Sequence, residues 1–258
     1  MSELKCKFII TGTEWNAAHL ERMAYERNLH AMHQMKRHGM EIKDGGKILT
    51  DDDIDCLTAA KAWEVSINVR DNYPGKKITG LYMESMKRSD DMWRDLAFGL
   101  DKPMKISLCE LFVNGITLKE FLSFFEAMKK DDRIGFAAHP EHFAGEITER
   151  KYLVAEPFGM YGAPTLCYVK GGDASELGAR ILKDKDPEFT FSMSGRTYLT
   201  DNVTEVNCPF HQFKPTNDGF EAKLAVYWPE KTLDEIVSGH CLHLAMEFYE
   251  VLKQIKNS

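Results

Sequence analysis

Apolar and polar positions change their rhythm near Ile106. Before it the chain reads mainly as helices. A short strand over Lys5 to Thr11 leads into a helix from Glu14 to His38, with Thr13 as N-cap and Gly39 as its stop. Thr50, followed by Asp51, Asp52 and Asp53, caps a second helix reaching Trp63, and acids in a first turn suit the helix dipole. From Ile106 onward, short apolar runs alternate with Gly, Pro, Asn and Asp, the signature of antiparallel strands. The runs are Ile106 to Val113, Lys151–Glu156, Thr165–Val169, Phe189–Met193, Thr197–Leu199 and Phe220–Trp228. An aromatic helix (Phe121, Phe124, Phe125, Met128) interrupts them after the capping box Thr117-Leu118-Lys119-Glu120. A second capping box at Thr232 opens a final helix to Lys256. Many antiparallel strands and one long terminal helix predict an α+β domain, a curved sheet gripping that helix with a cavity between them.

The final helix is almost wholly apolar. Val237, Leu244, Phe248, Val251 and Ile255 fall on one side; Leu242, Ala245, Met246 and Tyr249 cover much of the other. A narrow polar stripe remains: His240, His243, Glu247, Glu250 and Gln254. The stripe either faces water or turns its N-terminal half into an internal cavity. In the second case His243 and Glu247, four apart on one face, can close on one metal ion, with His240 a turn earlier. A divalent cation offsets the cost of burying a carboxylate beside imidazoles.

Composition narrows the field. The 258 residues are 43% hydrophobic and 28% charged, with net charge -7 and mean hydropathy -0.37. A broad nucleic-acid or anionic-membrane surface is not expected, and no stretch approaches the roughly 20 apolar residues of a membrane span. The N-terminus lacks the apolar core of a signal peptide, so the expected location is cytoplasmic. Six scattered cysteines without a Cys-x-x-Cys pair read as reduced, mostly buried thiols. Gly171-Gly172-Asp173 lacks the spacing and Lys of a phosphate loop, and reads as a turn that caps a short helix. No repeat or linker divides the chain, which is expected to form one domain.

From Asn114 to Leu252 the sequence resembles the phloretin hydrolase and 2,4-diacetylphloroglucinol hydrolase family. The pieces come in the family's order: Gly115-Ile116-Thr117 into the aromatic helix, then His139-Pro140-Glu141-His142, similar to a His-Pro-Glu-Asp-His segment with one residue missing. Next come Leu153-Val154-Ala155-Glu156 at a strand end, His211 with Asp218-Gly219-Phe220-Glu221 and Trp228, and lastly His243 and Glu247. The resemblance implies a helix-grip, START-like core over residues 104–256. It also implies zinc held by two histidines and two glutamates, and hydrolysis of the bond between a phenolic ring and an acyl carbon. Carried over by position, His243, Glu247 and Glu156 are metal ligands. The second family histidine falls on Met128, a poor zinc ligand. Either His139, His142 or Glu126 fills in, or three ligands and water suffice, or the metal is gone.

The chemistry needs a Lewis acid at the carbonyl oxygen and a proton for the departing ring carbon. His211 is the candidate donor, with Tyr227 or Tyr161 as partners for hydroxyls of a phenolic or aromatic ketone substrate. Two other readings stay open: a non-catalytic helix-grip protein binding a small aromatic or lipid-like ligand, and a metal enzyme of different chemistry. Residues 1–100 lie outside the resemblance, as a lid over the cavity or a homodimer contact.

Overall fold

The computed structural model describes residues 4–72, 75–128, 131–147, 151–160 and 163–257. The chain opens with a hairpin, β1 (Lys5–Ile10) and β2 (Thr13–Trp15), turned by Thr11 and Gly12 at φ of 48° and 78°. Phe8 to Ile10 pair with residues 13–15, so helix α1 (Ala17–Arg37) starts later than expected. Its cap is Asn16 rather than Thr13: the Asn16 side chain accepts from the His19 N–H, and His19 Nδ1 accepts from the Asn16 N–H. After the small hairpin of β3 (Lys43–Asp44) and β4 (Lys47–Ile48), the helix expected over 50–63 proves to be two. They are α2 (Asp51–Asp55), with Thr50 as cap, and α3 (Ala59–Asn72). A long helix that the pattern did not announce, α4 (Gly75–Leu96), completes the N-terminal layer.

Strand β5 (Met104–Asn114), helices α5 (Leu118–Met128) and α6 (Asp132–Ala138), and strands β6 (Ala144–Ile147) and β7 (Lys151–Glu156) follow. Then come β8 (Thr165–Gly172), α7 (Gly178–Leu182), β9 (Phe191–Leu199), β10 (Glu205–Thr216), β11 (Gly219–Pro229) and α8 (Asp234–Asn257). Nine of the strands form one antiparallel sheet, in the order β2-β1-β5-β11-β10-β9-β8-β7-β6. The runs expected at Phe189–Met193 and Thr197–Leu199 are one strand, β9. Strand β10 is absent from the expected runs, because Pro209 and Pro215 interrupt its pattern. It is nevertheless interior, between β9 and β11, with a register irregularity between Glu205 and Asn207.

Period-two alternation on β11 sorts the sheet's two faces. Leu224, Val226 and Trp228 join Cys109, Leu111 and Val113 of β5 and Leu244, Phe248 and Val251 of α8 in the largest core. Ala225 and Tyr227 point the other way, into a core shared with Phe98, Leu177 and Ile181. Helices α1 and α6 cover the far side of α8. The polar stripe of α8 is therefore enclosed: His240, His243 and Glu250 are buried and Glu247 is half-buried. The N-terminal helices build a core of their own from Met32, Met35, Ile54, Val65, Ile78 and Tyr82, and it takes in Phe143 and Ala155 beside the loop after α6. No helix of the described residues is long and apolar enough to cross a membrane.

Candidate metal centre

Three elements bring polar atoms to one buried point. Helix α8 supplies His243, the end of β7 supplies Glu156, and the segment after α6 supplies His142. His142 Nε2 lies 2.8 Å from Glu156 Oε2 and 3.4 Å from His243 Nε2, and His243 Nε2 lies 3.3 Å from the same carboxylate oxygen. Glu247 Oε2, one turn along α8, is 4.0 Å from His243 Nε2. His139 adds a third imidazole: one nitrogen from each of His139, His142 and His243 lies within 4.8 Å of the others.

Local sequence explains each placement. Pro140 disfavours helical backbone at the residue before it, so α6 stops at Ala138 and His139 is extended, with φ -148° and ψ 136°. The chain then turns, the His142 N–H donating to the His139 carbonyl at 3.2 Å. Strand β7 ends at Glu156 because Pro157 cannot continue the ladder. The next turn, Phe158 to Met160, rests directly on the first turn of α8. Gly159 has φ 74°, and a Cβ there would collide with the Ile236 backbone. Val154 and Glu156 share the face of β7 that meets the α8 core, whereas Ala155 faces the N-terminal core.

The hydrogen bonds assign the imidazoles. His142 Nδ1 faces the Gly135 carbonyl at 3.3 Å; a carbonyl only accepts, so Nδ1 carries the hydrogen and Nε2 is the atom turned toward Glu156. This backbone anchoring of one imidazole nitrogen while the other faces a carboxylate is the arrangement that orients metal-ligating histidines. His139 is different. Its Nδ1 accepts from the Glu141 N–H at 3.1 Å, which leaves the hydrogen on a buried Nε2 without a partner. Its ring stacks on His243, with centroids 3.8 Å apart.

Electrostatics accord with a cation site. Burial alone would raise the Glu156 carboxyl, but the neighbouring His243 and His142 hold it well below the usual carboxylate range. Burial works against a charged His142, yet the Glu156 carboxylate bonded to it, aided by Glu247, keeps its pKa above the ordinary value. Glu247 is held above its ordinary value by burial, against the pull of His142 and His243. Burial keeps His139 and His240 well below theirs, hence neutral. Ligand atoms about 2.0–2.2 Å from a tetrahedral ion stand roughly 3.3–3.6 Å apart. The separations from His243 match this, and the shorter His142–Glu156 edge is a direct hydrogen bond. Two imidazole nitrogens, that of His142 once it gives up its proton, with one ionised carboxylate and a second within a side-chain rotation, fit a divalent cation such as Zn2+.

The N-terminal helices hold the His142 segment from behind. Arg70 of α3 is buried, and its Nη1 donates to the carbonyls of Phe136, His139 and His142 at 2.8, 2.8 and 3.0 Å. Its Nε and Nη2 are fixed on the Ser66 carbonyl and hydroxyl. Burial lowers the Arg70 pKa to about 9, so the guanidinium stays charged at neutral pH. Arg27 of α1 forms a close bidentate pair with the buried Glu141 carboxylate.

Of the sequence-predicted residues, His243, Glu156 and Glu247 are brought together, and His142 stands where a second histidine was wanted. Met128 ends α5, but its side chain lies outside the described residues, as does Tyr161; Glu126 is exposed on α5. His211 is not a loop residue. It lies half-buried in β10 opposite Leu224 and packs against Phe248 with ring centroids 5.6 Å apart, its Nδ1 enclosed without a partner. Burial lowers its pKa to about 4. Tyr227 is misassigned as a site residue: alternation turns it to the opposite face of the sheet, where its hydroxyl donates to Asp184 Oδ2 at 2.9 Å. Sequence reasoning missed Arg70 and Arg27, because nothing in the pattern set them apart from the other basic residues of α1 and α3. Neither a protein-family model nor a curated protein sequence matches the chain.

Proposed function

We propose that this protein is a metal-dependent hydrolase cleaving the bond between a phenolic ring and an acyl carbon, with a divalent cation, zinc by its donor set, held by His142, His243 and Glu156. The observation that carries the reading is the convergence of these three side chains, buried, with both separations from His243 at tetrahedral ligand spacing. Glu247 is the fourth group in reach. A cation bound there supplies Lewis acidity toward a carbonyl oxygen. The resemblance to phloretin hydrolases supports the choice of substrate, and the long α8 lying across an antiparallel sheet is consistent with their helix-grip core.

The chain's own groups do the rest. His211, held neutral at pH 7 by its enclosed setting, would take a proton from the attacking water and return it to the departing ring carbon. Phe158, Trp228 and His240 form a buried edge-to-face aromatic cluster next to His243, which keeps the surroundings of the site apolar.

Elemental analysis of the purified protein, paired with assays on acylphloroglucinols before and after chelation, tests the proposal. About one equivalent of zinc, and activity lost with the metal and in Glu156→Gln, is the expected outcome. Protein that binds such compounds without turnover, and does so equally well after chelation, would instead be a ligand carrier.

A further inference from the structure

Building on that reading, we propose that Arg70 is a positioning residue of the metal centre. Through it, the N-terminal helices form part of the site. They are not a separate lid.

Three carbonyls of one short segment converge on a single guanidinium nitrogen. The Phe136 carbonyl belongs to the last turn of α6, where carbonyls lack intrahelical partners. The His139 and His142 carbonyls belong to the very residues whose rings enter the site. A planar guanidinium anchored on Ser66 fixes those carbonyls in angle as well as distance, which a single-point ammonium cannot do. With the His142 backbone held, its Nδ1–H can stay on the Gly135 carbonyl and Nε2 stays aimed at Glu156. The Arg27–Glu141 pair ties the same segment to α1 through a different residue, so removing Arg70 need not release the segment completely. Outer groups that orient ligand histidines typically change metal affinity about 10–100-fold.

The experiment compares full-length wild type, Arg70→Met, Arg70→Lys and Arg133→Met. Arg133 lies nearby, exposed in the first turn of α6, and pairs with Asp71 and Asn68. Zn2+ affinity is read by competition with a chromophoric chelator, well below each variant's melting temperature. The metal-free His142 Nδ1–H resonance is read by long-range 1H–15N NMR. Arg70→Met should weaken zinc binding by at least about tenfold and lose the protected resonance, Arg70→Lys should fall between, and Arg133→Met should match wild type. If Arg70→Met does not fold, the Arg70→Lys comparison decides the matter. Unchanged affinity in a folded Arg70 variant overturns the proposal, even if its melting temperature falls. Should wild type bind no zinc, the metal reading fails by itself, and a protected His142 resonance surviving in the Arg70 variants would overturn the positioning role separately.

Discussion

At the scale of single residues, the site turns on one proton. His142 is pushed up by the Glu156 carboxylate, and Glu156 is pulled well down by its two imidazole neighbours. The signs follow from linkage. The lowered Glu156 contributes stability that is present above the ordinary carboxylate value of 4.5 and is lost as pH falls through its folded value. The raised His142 contributes stability that is present below the ordinary imidazole value of 6.5 and is lost as pH rises through its folded value. Metal-free protein should thus gain most from this pair in the mildly acidic range, and the stability difference between wild type and His142→Ala, measured by thermal unfolding, should shrink toward pH 8. Metal reverses the trend, because a ligating imidazole must give up its proton. Zinc uptake in weak buffer near pH 6.5 should release protons detectable with an indicator dye, and affinity should rise with pH. Uptake without proton release would remove His142 from the ligand set. Tyr227→Phe is the matching control. It loses one hydrogen bond, to Asp184, at a cost of about 0.5–1.5 kcal/mol, and should leave metal affinity and turnover unaltered.

At the scale of elements, the close approach of two backbones sets the distance between Glu156 and His243. Gly159 rests on the first turn of α8 with positive φ and no room for a Cβ. Gly159→Ala would meet both penalties: left-handed backbone for a residue with a side chain, on the order of 1–3 kcal/mol, and displacement of the turn from Ile236. The displacement drags Glu156 with it, three residues upstream. Zinc affinity should therefore fall together with melting temperature, whereas an alanine at exposed Gly12, where no atom crowds the Cβ, should lower stability alone. Titration calorimetry on the two variants separates these outcomes. The sequence made part of this scale legible. The almost wholly apolar α8, the capping box at Thr117 and the period-two strands are local patterns, and most of them lie where the periodicity put them; the box expected at Thr232 does not form, its hydroxyl being buried without a partner. Strand β10 is missing from the expected runs because Pro209 and Pro215 break its pattern, and Tyr227, a candidate by residue type alone, lies on the face away from the site because side chains alternate along β11. Pro140 and Pro157 were visible, but their consequence, two chain reversals that deliver His142 and Glu156 to one helix, depends on contacts between segments far apart in sequence.

At the scale of the whole molecule, two cores meet at the candidate metal site. The sheet and α8 form one, the N-terminal helices the other, and the segment from Phe136 to Phe143 lies between them, bonded to Arg70 and Arg27 on one side and offering His142 to α8 on the other. Nothing in the first hundred residues announced this. A buried arginine on α3 and a partner for Glu141 on α1 become meaningful only once the chain has folded back some seventy and more than a hundred residues later. The arrangement predicts that metal joins the stability of both cores. A ligand that binds only the folded state stabilises by about 2.7 kcal/mol at a hundredfold excess over its Kd. Because the ligands come from α8, β7 and the segment clamped by the N-terminal helices, that gain should appear in both cores at once. Hydrogen exchange with and without zinc makes this visible: amides of α3 around Arg70 should slow together with those of α8 around His243, although α3 supplies no ligand. Chelation should speed both. Glu156→Gln should abolish the zinc effect in both places, since a shared cation, not either core by itself, couples them. Slowing confined to α8 would mean that the two cores open independently and that the clamp transmits nothing.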